Sequence, residues 1–469
     1  MRPTNMRETT EKLRTMKMGK LIMVMSLPAI VSMLVQALYN IVDSIFVSEL
    51  GEKALTALAL VYPMQMVIIA VFAGIGVGVN VAISRNIGAG KFKNASLSAE
   101  HGILIGLILW LLLALLSFYI PAKFVGLFTE DQVILGYASS YLQIVMLFSF
   151  GSIIAEICMN IMRSTGDATK SMKIQLLGAL TNIILDPILI FGLLFFPELG
   201  IKGAAIATVI GQIASMVYGI HAVTTANNGI KFSLKSFNYE PSISKNILLV
   251  SVPATFMIGL QSVMLGGINY ILANESETAI AVFGIYFKLQ AFITMALIGL
   301  TQGMMPIMGF NYGAKNKKRL MDAVNYSLLI ACSLMFVGTL LFNILPLQLL
   351  RLFNSSPEIE QIGLTCLRVC SLGFVFAGIG MIFATLFQAI GKPHYSLILT
   401  FARQIVFLLV IAHLLYTSIG LTGVWMAFPI AEFLCAIMAS VMMLSVYKRE
   451  INLLGNIEST PIGDIITAT

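Results

Sequence analysis

Charge is what this sequence has least of. Only 11% of its 469 residues are Asp, Glu, Lys or Arg, against roughly a quarter in a soluble domain. A water-soluble chain of this length needs several domains with charged surfaces, and there is not enough charge to coat them. Cysteine, histidine and tryptophan are also scarce, at five, four and two. Cys158, Cys332, Cys366, Cys370 and Cys435 all fall inside apolar runs. Cys366 and Cys370 share a helix face, but with no histidine or second pair nearby they read as small buried hydrophobes, not a metal site. The four histidines (His101, His221, His394 and His413) are scattered. No phosphate-cradling G-x-x-x-x-G-K-[ST] loop is present, so nucleotide hydrolysis is not the obvious driver. A receptor or intramembrane enzyme would need a signalling domain or a nucleophile–base constellation, and neither is visible.

What the chain has is apolar length. It is 58% hydrophobic, with runs starting near Leu21, Ala54, Leu97, Val133, Met172, Gly203, Ile247, Thr278, Ala323, Ile359, Ser396 and Leu421. About twenty helical residues cross one hydrocarbon core, so the expected fold is an all-α integral membrane protein of twelve spans in two six-helix bundles. The net charge of +7 points to membrane topology, not to nucleic acid. Of the basic residues between runs, alternate breaks hold 22 and 4. The rich set includes the N-terminal segment, Arg85, Lys91, Lys93, Arg163, Lys170, Lys315 to Arg319, Lys392, Lys448 and Arg449; the poor set is Lys53, Lys123, Lys202 and Arg351. Positive residues stay inside, so both termini are expected in the cytoplasm of a multi-pass cell-membrane protein. The first run is longer than a signal-peptide core and reads as a retained span. The expected organisation is a cytoplasmic segment (1–20), an N-lobe (21–224), an inter-lobe loop (225–245), a C-lobe (246–447) and a tail (448–469).

Shifted by 225 residues, the chain aligns with its own second half. Pro28 falls on Pro253, Gln36 on Gln261, Gln65 on Gln290, Gly88-Ala89 on Gly313-Ala314, and Gly166 on Gly391. Beyond a loop five residues shorter, Gly200 and Gly203 meet Gly420 and Gly423. Two copies with even span counts insert the same way round, as in two-lobed transporters that rock about a central cavity. The glycines at the paired breaks suit turns needing positive φ. Gly74, Gly76 and Gly78, inside the second span, read as close helix packing or a hinge.

Ionisable groups inside a span cost roughly 2.5–3.5 kcal/mol on insertion scales. The candidates are Asp43, Glu156, Asp186, Lys288, Arg368, Arg403 and Glu432. The repeat ranks them: Asp43 maps onto Ile268 and Asp186 onto Ile411, so these two acids are private to the first half. Gln36, Tyr39, Asn40 and Asp43 share one helical face, and Asn182 and Asp186 share another. Pro187 cannot donate to the carbonyl of Ile183, which frees a backbone acceptor and bends the helix. Two carboxylates, an amide oxygen and a loose carbonyl form a hard-oxygen set suited to H⁺ or Na⁺. Glu156 either lines the same cavity or pairs locally; Glu432, mapping onto Gln212, reads as packing. Lys288 and Arg403 either pair with an acid or snorkel.

These residues resemble the multidrug and toxic compound extrusion family. The resemblance runs through LPAIVSMLVQALYNIVDSIFVSELG from Leu27, RNIGAGK from Arg85, RSTGD from Arg163, TNIILDPILIFG from Thr181 and GIKGAAIAT from Gly200. It continues with NYGAK from Asn311, QAIGKP from Gln388 and GLTGVW from Gly420. It implies twelve helices in two lobes, no enzyme activity, and export of organic cations and amphiphilic drugs in exchange for H⁺ or Na⁺, with no other cofactor and a monomer as the working unit. It implies a coupling site at Asp43, Asn182, Asp186 and Thr208, with Na⁺ a candidate metal at the first three. It also implies that Tyr141 and Asn160 line a substrate cavity, which with the polar face of the first span gives the cavity candidates Gln36, Tyr39, Asn40, Tyr141, Glu156, Asn160 and Gln261. The NorM-type branch carries acids in the seventh and tenth spans; here Gln261 and the stretch Gly378 to Met381 offer none. The chain is therefore expected in the N-lobe-coupled (DinF/MepA-like) branch. A rival reading is a flippase for lipids or lipid-linked oligosaccharides, which would call for a cationic cavity.

Overall fold

The computed structural model describes residues 11–226, 229–230, 237–353 and 355–455. Parts of the expected N-terminal segment, inter-lobe loop and tail lie outside the described residues, Arg2, Arg7, Lys231 and Lys235 among them. The described chain is helical throughout. Ten helices are long and apolar enough to cross a bilayer, and two bent pairs complete twelve. They are α1 (Met18–Ser48), α2 (Glu52–Gly88), α3 (Phe92–Leu116), α4 (Gln132–Leu147 with Phe150–Ser164), α5 (Ala168–Phe191) and α6 (Ile201–Thr225). After the linker come α7 (Pro241–Ala273), α8 (Glu277–Gly313), α9 (Lys317–Ile344), α10 (Pro357–Ser371 with Phe374–Ala389), α11 (Pro393–Ile419) and α12 (Leu421–Ile451). Each expected run falls on one of them.

The two bends repeat each other. α4 turns by 49° between Leu147 and Phe150 and α10 by 45° between Ser371 and Phe374, within one residue of the repeat offset. In each the hydroxyl of a serine at the break bonds a carbonyl three residues back: Ser149 to Met146 (2.8 Å) and Ser371 to Arg368 (3.0 Å). A hydroxyl competing for backbone acceptors weakens the helical ladder locally, so the bend needs no proline.

The lobes meet chiefly through four helices, α1 against α8, α7 against α2, and α2 against α8. The first two contacts are images of one another under the repeat. At Gly74 and Gly78 of α2, an added Cβ would strike Ser251 and Thr255 of α7; at Gly299 and Gly303 of α8 it would strike Ser26 and Ile30 of α1. Lipid tails are as apolar as leucine, so no hydrophobic force drives these helices together. Small residues let the backbones approach instead. Gly74 and Gly78 thus join the lobes, while Gly76 packs on Glu156 and Asn160 of its own lobe. The turn glycines also divide. Gly88 and Gly313 hold the α2–α8 crossing, where side chains would hit backbone. The left-handed turn positions are Gly90, Gly166 and Gly391, and in the fourth turn Lys315 at φ 54°.

All these contacts lie toward one face, the terminal side, which carries the N-terminal residues, the α6–α7 linker and the C-terminal residues. In α1 burial is concentrated between Met18 and Ser32, in α2 between Ile68 and Ile87, in α7 between Ile243 and Ala254, and in α8 between Leu297 and Asn311. Toward the opposite, far side burial in these helices thins out, and an added Cβ at Gly259 and Gly266 of α7 or Gly284 of α8 would meet open space. The lobes are closed on the terminal side and splayed on the far side. Gly78→Val should therefore lower the thermal unfolding midpoint in detergent, by the equivalent of about 1–3 kcal/mol for overpacking. Gly136→Ala, whose new methyl meets open space, should leave it unchanged. Equal midpoints for wild type and Gly78→Val would mean that α2 and α7 are not in backbone contact.

Candidate functional site

A cavity of about 510 Å³ opens within the N-lobe. The polar face of α1 forms one wall, with Gln36, Tyr39, Asn40 and Asp43; Gln65 and Phe72 of α2, Tyr141 of α4, and Thr208 and Gln212 of α6 complete it. Behind this layer lie Asn182 and Asp186, both buried on α5. The Asp43 and Asp186 carboxyl groups lie within hydrogen-bonding reach of each other. Asn182 Nδ2 donates to Asp186 Oδ1 (3.1 Å) and to Thr208 Oγ1 (3.3 Å). Thr208 shares the cavity wall with Tyr39 and Tyr141, and Gln65 donates to the Tyr141 hydroxyl at 3.3 Å. Asp43 and Thr208 therefore connect the open cavity to the buried pair. Pro187 sits inside α5, which continues to Phe191, and its missing N–H leaves the Ile183 carbonyl without its helical donor.

Two carboxyl groups in contact within apolar surroundings resist carrying two negative charges. A shared proton or a small cation relieves the repulsion. Asp43 Oδ1, Asn182 Oδ1 and Asp186 Oδ2 are buried oxygens with no protein donor, and hard oxygens are what H⁺ or Na⁺ requires. Among the described residues no cluster of three His, Cys, Asp or Glu side chains assembles, so the set depends on the amide and hydroxyl as much as on the acids.

The remaining candidates sit elsewhere. Asn160 donates to Glu156 Oε1 (2.8 Å) and accepts from Asn80 (3.4 Å); this chain ties α4 to α2 outside the cavity wall. Gln261 is exposed on α7. Arg403 bonds Glu432 at 3.1 Å, and Lys288 lies exposed with its ammonium 6.0 Å from the centre of the Phe353 ring. Sequence reasoning missed three cavity-wall or supporting groups. Gln65 was visible only as a landmark of the repeat, Gln212 only as the twin of Glu432, and Gln175, whose Nε2 donates to Gln36 Oε1 at 2.7 Å, carried no signal.

The C-lobe repeats the backbone and not the chemistry. The positions matching Asp43, Tyr39, Tyr141 and Thr208 are Ile268, Met264, Cys366 and Phe428, all buried. Those matching Asn182 and Asp186 are Phe407 and Ile411, packed against the core. Where the N-lobe is hollow, Phe283, Tyr286, Phe342, Trp425 and Phe428 stack in the C-lobe at centroid distances of 5.7–6.5 Å.

The MatE family model matches residues 28–188 and 253–414, two copies starting 225 residues apart. The chain belongs to the MatE family. As a MatE protein it is a multi-pass membrane transporter, not an enzyme. Among its relatives, the multidrug export protein MepA of Staphylococcus haemolyticus is 28% identical over 431 residues, covering 92% of this chain and 94% of that protein. A FAD transporter of Shewanella oneidensis is 26% identical over 425 residues, covering 89% and 93%. A MATE family multidrug resistance transporter solved in an outward-facing conformation matches with a TM-score of 0.88 at 29% identity, over 94% of this chain and 99% of that one. A MOP superfamily transporter of Pyrococcus furiosus, described as having a binding pocket of reversed polarity, matches with the same TM-score at 28% identity over 94% and 99%.

The two lobes of this MatE transporter should answer oppositely to neutralisation. Asp43→Asn replaces a carboxyl–carboxyl contact by an amide–carboxyl hydrogen bond and should raise the unfolding midpoint, by the equivalent of about 1 kcal/mol. Glu432→Gln leaves Arg403 without its counter-charge and should lower it, by about 2 kcal/mol or more. Shifts of the same sign would contradict this assignment of paired and unpaired acids.

Proposed function

We propose that this MatE transporter exports amphiphilic organic cations and related drugs in exchange for H⁺ or Na⁺, with the coupling ion held at Asp43, Asn182, Asp186 and Thr208. The observation that carries the reading is the contacting pair of carboxyl groups behind a cavity that opens to the far side, at a place whose repeat-related twin is apolar. An acid pair with no structural counterpart and no basic partner is suited to being loaded and unloaded.

The cavity wall supplies both halves of cation recognition. Asp43 offers charge, and Tyr39 and Tyr141 offer aromatic faces that attract cations. A coupling ion arriving from the far side neutralises the acids and so competes directly with a cationic drug. Asn182 and Thr208 pass the change to α6, loosening the wall, and the drug leaves outward. Return of the ion to the other side as the lobes rock restores the charge. Movement of one charge down about 100 mV supplies roughly 2.3 kcal/mol, and a tenfold ion gradient adds about 1.4 kcal/mol. Together these support a concentration ratio of roughly several hundredfold for a neutral substrate.

Further parts of the reading follow from the sequence. The 22-to-4 distribution of basic residues supports a cytoplasmic terminal side and residence in the cell membrane. The absence of acids at Gln261 and at Gly378 to Met381 supports coupling through the N-lobe, as in the DinF/MepA-like branch. The working unit is a monomer, since each lobe finds its complement within the chain. The acids in the N-lobe cavity favour a cationic cargo over an anion such as the FAD carried by the Shewanella relative, and over a pyrophosphate-linked lipid.

Purified protein in liposomes should expel ethidium when a pH or Na⁺ gradient is imposed, each gradient being applied separately. Asp43→Asn should reduce ion-driven efflux about tenfold or more, a loss of about 1.4 kcal/mol or more of coupling. Full ion-driven efflux by Asp43→Asn would sink the coupling assignment, and gradient-driven movement of FAD without ethidium would sink the cargo assignment.

A further inference from the structure

Beside the α2–α8 crossing, the terminal side holds a second cavity, of about 440 Å³, between the lobes. Arg85 and Lys91 of the N-lobe line it together with Lys315 of the C-lobe, and Asn86 and Asn246 are also in its wall. One carboxylate, Glu240, also lines it. Among the described residues, none of the three cations has a carboxylate within salt-bridge distance, whereas Lys53, Lys170, Arg351, Lys392 and Arg403 are all paired. Arg85 is fixed across the lobe boundary, its guanidinium 5.4 Å from the centre of the Tyr312 ring.

Lys315 is the unexpected residue. It has a left-handed backbone, φ 54°, which a Cβ makes unfavourable. The repeat-related turn has Gly90 at this place, and the other pair of turns has Gly166 and Gly391, all at positive φ. Glycine would fill the fourth turn without strain. The backbone gains nothing from lysine, so what the position supplies is an ammonium group at the cleft. Strain held at one member of a repeated set is a pointer to function.

We propose that this cleft binds a phosphate group, gripped by Arg85 and Lys91 on one lobe and by Lys315 on the other. Several cationic donors from separate elements match an anion that presents several oxygens at once. α3 begins immediately after Lys91 and α7 immediately after Glu240, so two helix N-termini add partial positive charge to the same space. The donors come from both lobes, and the grip exists only while the terminal side is closed. By linkage, an occupied cleft favours the conformation open to the far side. The phosphate belongs either to the headgroup of an anionic phospholipid or to a soluble phosphate compound. The inference is independent of the coupling ion and of the drug, because its readout is the lobe equilibrium.

The test places spin labels on Thr169→Cys and His394→Cys, exposed positions related by the repeat, in a chain whose native cysteines are buried or half-buried. The distance between labels is measured by pulsed electron resonance in three settings: phosphatidylcholine nanodiscs, the same nanodiscs with one lipid in four replaced by phosphatidylglycerol, and phosphatidylcholine nanodiscs with inorganic phosphate. The closed-to-open ratio on the terminal side should rise about fivefold or more with phosphatidylglycerol if the source is a lipid, or with inorganic phosphate if it is soluble. Lys315→Gly should abolish the response while keeping the turn, since it restores the residue type found at Gly90. Lys318→Gln, which removes an exposed charge nearby, should retain it. No response in either arm, a response that survives Lys315→Gly, or an equal loss in Lys318→Gln would overturn the proposal.

Discussion

Helices in lipid are not pushed together by water, and the architecture of this protein depends on that constraint. Contact between the lobes has to come from fit, and fit is supplied by glycines that let α2 lie against α7 and α8 against α1. Because the two contacts are images of each other, they close the same face of the molecule. Everything on the opposite face is then free to splay, and the N-lobe cavity opens there. The acid pair sits behind the wall of this cavity, with Asp43 lining it and Asp186 buried behind.

The duplicated backbone carries two different fillings. One copy holds a hollow with acids, amides and tyrosine hydroxyls; the other packs Phe283, Tyr286, Trp425 and Phe428 into a solid core. Among the C-lobe's charged pairs, Arg403 with Glu432 lies in the interior between α11 and α12, an acid matched to a base. The N-lobe acids have each other and no base. Such a difference between equivalent positions cannot come from the fold, which is the same in both, so it marks where the chemistry of the two lobes diverges.

Much of this was legible without coordinates. Span number followed from apolar length, the two lobes from a repeat that held one offset, and the acid pair from being present in one copy only. Asn182, Asp186 and Asp43 came together because each sat on a polar stripe of an otherwise apolar helix, a pattern periodicity reveals. The limits were equally physical. Glu156 and Asn160 lie on a polar stripe too, yet bond each other and Asn80 outside the cavity wall, since a stripe gives a direction but not a depth. Gln175 could not be found at all, because its partner Gln36 is 139 positions away. The strained backbone of Lys315 was invisible for the opposite reason. The turn around it aligned so well with the Gly90 turn that the one substituted residue passed as ordinary variation.

The aromatic filling of the C-lobe has a mechanical meaning. A lobe packed solid transmits force without deforming, whereas a lobe with a polar hollow yields when its contents change. Sequence drift in the two halves would accordingly be tolerated on different grounds: volume in one, and polarity in the other.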